Sequence, residues 1–460
     1  MELRLKYGLG MVHAEFPDPP LKNMNGKSER PQGSGRRGRL HQFTELHPKH
    51  IATLQKPADI VSQALEKPLG CHPFNQVFRG ARNVLLVVPD PEEFDGAEYY
   101  LPVLLERLQR LHVPAEEITI LVAKNSEQSS PTSRKYDFVG MDDRVRVCWH
   151  DPQDHKMLEY VGLTRRGTPV FINRLILDAD YVMLCGTVTH HPFAGYGGGP
   201  RLLVPGCAGQ ETIYRHHALA IDPEAPRLHP RCRDAVVEGN PLQEDAREAF
   251  RFVTTNFLVH TVLNDQQQVI GAVTGEPLQA FAAGCRTIDD MFHVPVSPPA
   301  NLVVVSCGGF PADRDYRSAH VALQRAGRVA GPGGVIIFLA ECRDGLGSHA
   351  LTNWLQEKVA EVNTEVQGSG YSDKLEWRSW HHELRQPNVA EVLIALAARQ
   401  KAQETHVIAV TALEPALLRK LGFTPAGSFR EALALAESWL PDIFSAIVIS
   451  NGNLLVPYLC

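Results

Sequence analysis

Residues 84–88, VLLVV, carry no polar side chain. A strand of that composition has no face to give to water, so it must be covered on both sides, as the central strands of a parallel sheet are. The run stops at Pro89 and Asp90, and a helical pattern follows over 99–111. The order then repeats: an apolar run at 118–123 closed by the polar turn KNSEQSSPT, shorter runs at 144–149 and 169–172, and another at 181–185. Strands alternating with helices specify an α/β fold with a mostly parallel sheet. In such sheets ligands sit beyond the carboxyl ends of the strands. The turns at Asp90, Glu127 and His191 are therefore expected to face one crevice.

A second series begins after Ser297-Pro298-Pro299, the clearest linker signal in the chain. It runs from a strand at 302–305 through the turn CGGFPADRD, a helix over 316–326, the turn GPGG and a strand at 335–339, and adds strands at 405–410 and 446–450. The expected fold is thus α/β, with two α/β domains of mostly parallel sheet, residues 1–296 and 300–460, and an active-site crevice between them. The closing NLLVPYLC is expected to pack back on the first domain. At the start, 3–9 reads as a strand followed by an extended segment, and the basic, Gly/Ser/Pro-rich 22–40 as a solvated loop. Apolar residues at helical spacing over 243–263 read as one core helix, with His260 a packed core histidine, and 269–273 reads as a short strand.

Several classes are excluded by composition. A formal charge of −6 is wrong for a nucleic-acid binder, and no apolar run approaches the roughly 18–20 residues of a membrane span. The nine cysteines form no CxxC pair, so neither a zinc ribbon nor a disulfide framework is indicated. With no secretory pattern in MELRLKYGLG, the expectation is a cytoplasmic protein with reduced thiols.

Chemistry concentrates between 181 and 217, YVMLCGTVTHHPFAGYGGGPRLLVPGCAGQETIYRHH. Gly195, Gly197, Gly198 and Gly199 let a backbone come close to a ligand and offer N–H groups to an anion. His190 and His191 stand before the glycines, and His216 and His217 lie in a helix starting near Gln210. Histidines on both sides of such a loop suit metal ligation or proton transfer; the residues alone fit a ligand loop or an ordinary surface loop.

Longer motifs add to this. KYGLG at 6–10, ALEKPLG at 64–70, VLLVVPD at 84–90, HHPFAGYGGG at 190–199, VPG at 204–206 and the ETI helix ending in His217 occur in order. GNPLQED at 239–245, VLND to GEP over 262–277, CGGFPADRDY at 307–316 and GGVIIFLAECRDGLG at 333–347 follow. In these motifs the chain resembles the nickel-dependent lactate racemases, whose cofactor is the nickel-pincer nucleotide. The resemblance implies a 2-hydroxy-acid racemase or epimerase: hydride passes from Cα to the pincer ring, a side chain takes the hydroxyl proton, and the keto acid is reduced again on either face. It implies His217 as nickel ligand, His191 as a catalytic histidine, and Asp90 with Gly197, Gly198 and Gly199 on the cofactor side. The small-molecule partner would be a 2-hydroxy acid, with no nucleic acid and no membrane.

The chain departs from the family pattern at five positions. Glu127 stands where the family has its other catalytic histidine. Arg201 stands in place of the lysine that attaches the pincer through a thioamide, so the cofactor is not expected to be covalently held. Glu93 replaces an arginine, and Arg317 and His320 replace a glutamine and a lysine on the substrate side. A catalytically silent relative that binds a nucleotide or hydroxy acid without turnover is the alternative these departures allow. His216, next to His217, is expected at the surface.

Overall fold

The computed structural model describes residues 2–16, 39–49, 51–90, 95–124, 142–225, 227–349, 351–353, 355 and 389–460. Two six-stranded sheets dominate it. The first runs Val269–Gly275, Phe257–Leu263, Tyr181–Thr187, Val84–Val88, Ile118–Val122, Arg146–Trp149. All its neighbours are parallel except the edge pair formed by the first two strands. All five residues of Val84–Val88 and of Ile118–Val122 are buried, the first a run without polar residues and the second with Thr119 as its single polar side chain. Helix Ala97–Arg110 puts Leu101, Leu104, Leu105 and Leu108 on one buried stripe, in a core shared with Leu86 and Ile120.

The second sheet is parallel throughout: Thr424–Ala426, His406–Val410, Ala330–Leu339, Ala300–Ser306, Ile443–Ile449, Arg39–Leu46. Helix Tyr316–Ala326 matches its sequence reading and starts at Asp315, whose Oδ1 accepts from Ser318 N at 2.8 Å.

Three sequence expectations change. The core helix read over 243–263 is a helix only at Pro241–Phe250, and Phe257–Leu263 is a strand inside the first sheet. Val253-Thr254-Thr255 is a β-branched run that disfavours helix continuation. Asn256 then docks on the sheet, its Oδ1 accepting from Val182 N at 2.8 Å. At the amino end, Glu2–Tyr7 and Gly10–Glu15 make a hairpin rather than one strand and an extension. Its turn uses Gly8 at φ +53, whose N–H donates to Asp313 Oδ2 at 2.6 Å. The hairpin and strand Arg39–Leu46 belong with the second sheet: Leu5, Ala14 and Leu40 share a core with Leu302 and Ile337. A cut at Ser297 therefore separates the two sheets only for residues after 46. At the other end, strand Val456–Leu459 pairs with His293–Val296, just before the linker.

The halves also meet through a buried ion cluster. Asp234 Oδ1 lies 2.8 Å from Arg325 Nη2 and its Oδ2 lies 2.7 Å from Arg328 Nη2. Burial alone would raise the Asp234 carboxyl, but Arg325 and Arg328 hold it well below the usual carboxylate range. Asp234→Asn leaves two guanidinium groups uncompensated, and we expect a loss of about 3–5 kcal/mol, read by denaturant unfolding at neutral pH. The same linkage makes the contribution full above the unfolded carboxylate pKa, fading as pH drops toward the depressed folded value. A change within about 1 kcal/mol would reduce the cluster to an ordinary surface pair.

Candidate active site

Strand Tyr181–Thr187 delivers the chain into a short hairpin, Thr189–His191 with Gly195–Gly197, and then into the turn Gly199–Leu202 and helix Gln210–Ala218. The hairpin places His191 at its tip. Its Nδ1 accepts from the backbone N–H of Phe193 (3.2 Å) and Ala194 (3.0 Å). A neutral imidazole so held carries its proton on Nε2. That nitrogen stands 3.5 Å from Arg201 Nη2, close enough for one ligand oxygen to accept from both groups. Burial first, then Arg201, keeps His191 well below the ordinary histidine value.

Arg201 Nη1 is buried and has no partner among the described residues. Burial pushes the guanidinium down to about 10, which leaves it cationic at neutral pH. His217 is likewise neutral: burial, His216, Arg201 and Arg317 all lower it. From the other half, helix Tyr316–Ala326 contributes Arg317 and His320. The His320 ring stacks on Phe193 at 5.7 Å between centroids and 21° between planes. Its Nδ1 donates to the Arg317 carbonyl at 2.6 Å, and its Nε2 is buried without a partner among the described residues. Burial brings His320 down to about 4.

His191, Arg201, His217, Arg317 and His320 thus sense one another electrostatically and form one cation-rich cluster, with His320 buried and the other four half-buried. Asp90 is buried in the turn after Val84–Val88; its neighbour Pro89 packs beside the Tyr181–Thr187 strand, 3.3 Å from where a Gly186 Cβ would sit. Glu127 and Glu93 lie outside the described residues.

The expectation that His216 is a surface residue is wrong. Thr212 and His216 sit one turn apart on the inward face of their helix. His216 Nδ1 donates to Asp245 Oδ2 at 2.9 Å, and Asp245 Oδ1 accepts from Thr164 Oγ1 at 2.6 Å, all buried. His260 is a fully buried core residue, as expected, in a strand rather than a helix, its Nε2 accepting from Gly199 N at 3.4 Å.

The glycines are dictated first by the protein's own packing. A Cβ on Gly198 would lie 2.5 Å from the Thr187 carbonyl oxygen, and one on Gly199 would lie 2.6 Å from the Phe281 ring. Gly198 also has φ +82. Gly198→Ala should therefore cost on the order of 1–3 kcal/mol, seen as a lowered melting temperature with the secondary structure kept. An unchanged melting temperature would mean that the loop relaxes freely.

Among the described residues no three His, Cys, Asp or Glu side chains converge as a metal site, and no helix is long and apolar enough to cross a membrane. All nine cysteines are free thiols.

Comparison with known proteins gives this cluster a context. Residues 39–227 match the lactate racemase N-terminal domain model, and residues 296–456 match the lactate racemase C-terminal domain model. Lactate racemase of Thermoanaerobacterium thermosaccharolyticum is 26% identical over 401 residues, 86% of this chain and 89% of that protein. Lactate racemase of Lactiplantibacillus plantarum is 26% identical over 291 residues, 63% of this chain and 67% of that protein. In fold, the chain is similar to the lactate racemase apoprotein structure from T. thermosaccharolyticum, with a TM-score of 0.80, 23% identity, and coverage of 99% of this chain and 100% of that one. A Thermotoga maritima protein structure aligns with a TM-score of 0.60 at 17% identity, over 88% of this chain and 98% of that one. With both domain models matched in order across most of its length, the chain belongs to the lactate racemase family of isomerases.

Proposed function

We propose that the protein is a racemase or epimerase of 2-hydroxy acids that works with a nickel-pincer nucleotide. The observation that carries this reading is the half-buried meeting of two cations without a carboxylate partner among the described residues and three histidines held neutral, drawn from both halves of a lactate racemase fold. A 2-hydroxy acid brings a carboxylate for a guanidinium and a hydroxyl for an imidazole, so the donors and acceptors match in kind.

The residues fit the cofactor in the same terms. His217 is neutral, as a nickel ligand must be. A pincer brings its own donor atoms to the metal, so one protein imidazole suffices where no three-ligand cluster is found among the described residues. The orphaned Nη1 of Arg201 suits a phosphate oxygen, and Asp90, Gly197, Gly198 and Gly199 are assigned to the cofactor side. Arginine cannot form the thioamide link, so attachment at Arg201 is non-covalent. Bound there, the cofactor would supply an acceptor for the hydrogen that leaves Cα as hydride, and its return to either face of the flat keto acid gives either enantiomer with no net redox change. Arg317 and His320 face the substrate, His191 approaches its hydroxyl, and Glu127 is the second proton-handling group by resemblance.

The test is production together with the nickel-pincer biosynthetic enzymes, followed by elemental analysis, intact mass and chiral chromatography of 2-hydroxy acids. We expect nickel near one per chain, an unmodified intact mass, and interconversion of enantiomers. His217→Ala should lose the nickel, and Arg201→Lys should gain the adduct mass. Protein without nickel and without racemisation would overturn the reading.

A further inference from the structure

We infer that His320 is the group that takes the substrate's hydroxyl proton, with His191 donating a hydrogen bond to the same oxygen. This inference rests on the racemase reading above and reassigns its proton acceptor.

The two rings are locked in opposite tautomers by the backbone around them. His320 gives its Nδ1 proton to the Arg317 carbonyl at 2.6 Å, so the neutral ring keeps a bare lone pair on Nε2. That nitrogen is buried and has no partner among the described residues. Phe193 stacked on the ring fixes its plane, so the lone pair has a set direction. His191 is the mirror case: two backbone N–H groups occupy its Nδ1, which leaves Nε2–H as its outward group.

These tautomers assign the contacts. A neutral His320 has no proton to offer a carboxylate, and its lone pair would repel one. The cation beside it, Arg317, has no ion pair or hydrogen-bond partner for its side chain among the described residues and suits the carboxylate instead. A hydroxyl is the substrate group that can donate to Nε2. His191 cannot accept at Nε2 without giving up both backbone bonds, so it serves as a neutral electrophile toward the oxygen. The buried setting keeps the His320 ring unprotonated and ready at neutral pH.

In the step itself the O–H bond breaks, its proton goes to His320 Nε2, and its electron pair becomes the second bond of the C=O. The hydrogen on Cα would leave with its own pair, for which the bound cofactor would supply the acceptor. On return, the imidazolium gives the proton back to the oxygen as hydride re-enters at carbon.

Two measurements test this. In wild-type protein labelled with nitrogen-15 on histidine, the imidazole spectrum should show His320 as the Nδ1–H form and His191 as the Nε2–H form. An Nε2–H form for His320 overturns the proposal whatever the activity. In the cofactor-loaded enzyme, His320→Gln keeps a polar acceptor but cannot take a proton, and kcat should fall about 10²–10⁴-fold with KM within about threefold. His320→Asn, with circular dichroism and melting as folding controls, should show the same pattern. A raised KM with kcat retained would make His320 a carboxylate contact and sink the proposal. A wild-type enzyme with nickel but no racemisation would instead remove the underlying reading, and the proposal with it; the two failures are therefore told apart by the wild type alone.

Discussion

The arrangement of the site depends on the buried Asp234 carboxylate. It bonds to Arg325 and Arg328, and Arg325 reaches on to the Gly452 carbonyl at 3.2 Å. On the other side, Ala235 N donates to the Gly195 carbonyl at 3.1 Å, tying the same segment to the histidine hairpin. The helix bearing Arg325 also bears His320, about 7.5 Å along its axis at roughly 1.5 Å per residue. One ion cluster thus sets how far the Tyr316–Ala326 helix stands from the loop around His191. A buried pair of this kind adds little net stability over a hydrophobic isostere, because desolvation offsets the attraction. Its consequence here is registry: a shift of the helix would separate charges that have no water to replace them.

Asp234 also works against the field of the site. His191 and His320 are both lowered by burial and by nearby guanidinium groups, while Asp234 opposes that lowering at each. The cluster is therefore cationic through its arginines and neutral at its imidazoles. In a low-dielectric pocket the attraction for an anion is stronger than at the surface. Neutral rings keep lone pairs for a metal or a proton, which protonated rings could not. The charge of the site and its acid–base capacity reside in different residues.

Much of the fold was legible because parallel strands buried on both faces leave a clear trace: 84–88 has no polar side chain and 118–122 only Thr119. The 257–263 strand was misread because Phe250, Val253, Phe257 and Val262 also fit a helical stripe, and only the sheet partner at 181–187 decides the matter. Strand Arg39–Leu46 pairs with Ile443–Ile449, a contact across most of the chain that no local pattern encodes. In the site, motif residues pointed to His191, Arg201, His217, Arg317 and His320, and these do converge. His216 was missed because adjacent helical residues differ by about 100° in direction, and which of the two faces inward depends on Asp245, far along the chain. Asp234 lies in an unpatterned segment, and only the folded helix shows its partners.

On the proposed reading, the departures that the family resemblance implies form a consistent set once the tautomers are considered. A lysine at position 320 would be a donor only; His320, with Nδ1–H spent on a carbonyl, is an acceptor only. Arg317 supplies the positive charge that such a lysine would have brought, so the exchange moves the cation by three residues along one helix face and leaves an acceptor where it stood. At 201 the exchange runs differently. Arginine keeps the charge and gives up a covalent bond, so on the reading proposed above cofactor retention becomes an equilibrium governed by free concentration and dissociation constant. A half-buried guanidinium whose buried Nη1 has no partner among the described residues is what such a reversible anion site requires. On the proposed reading, loss of the tether at Arg201 and gain of an acceptor at His320 are separate changes in one pocket, the first acting on how the cofactor would be held and the second on where the proton would go.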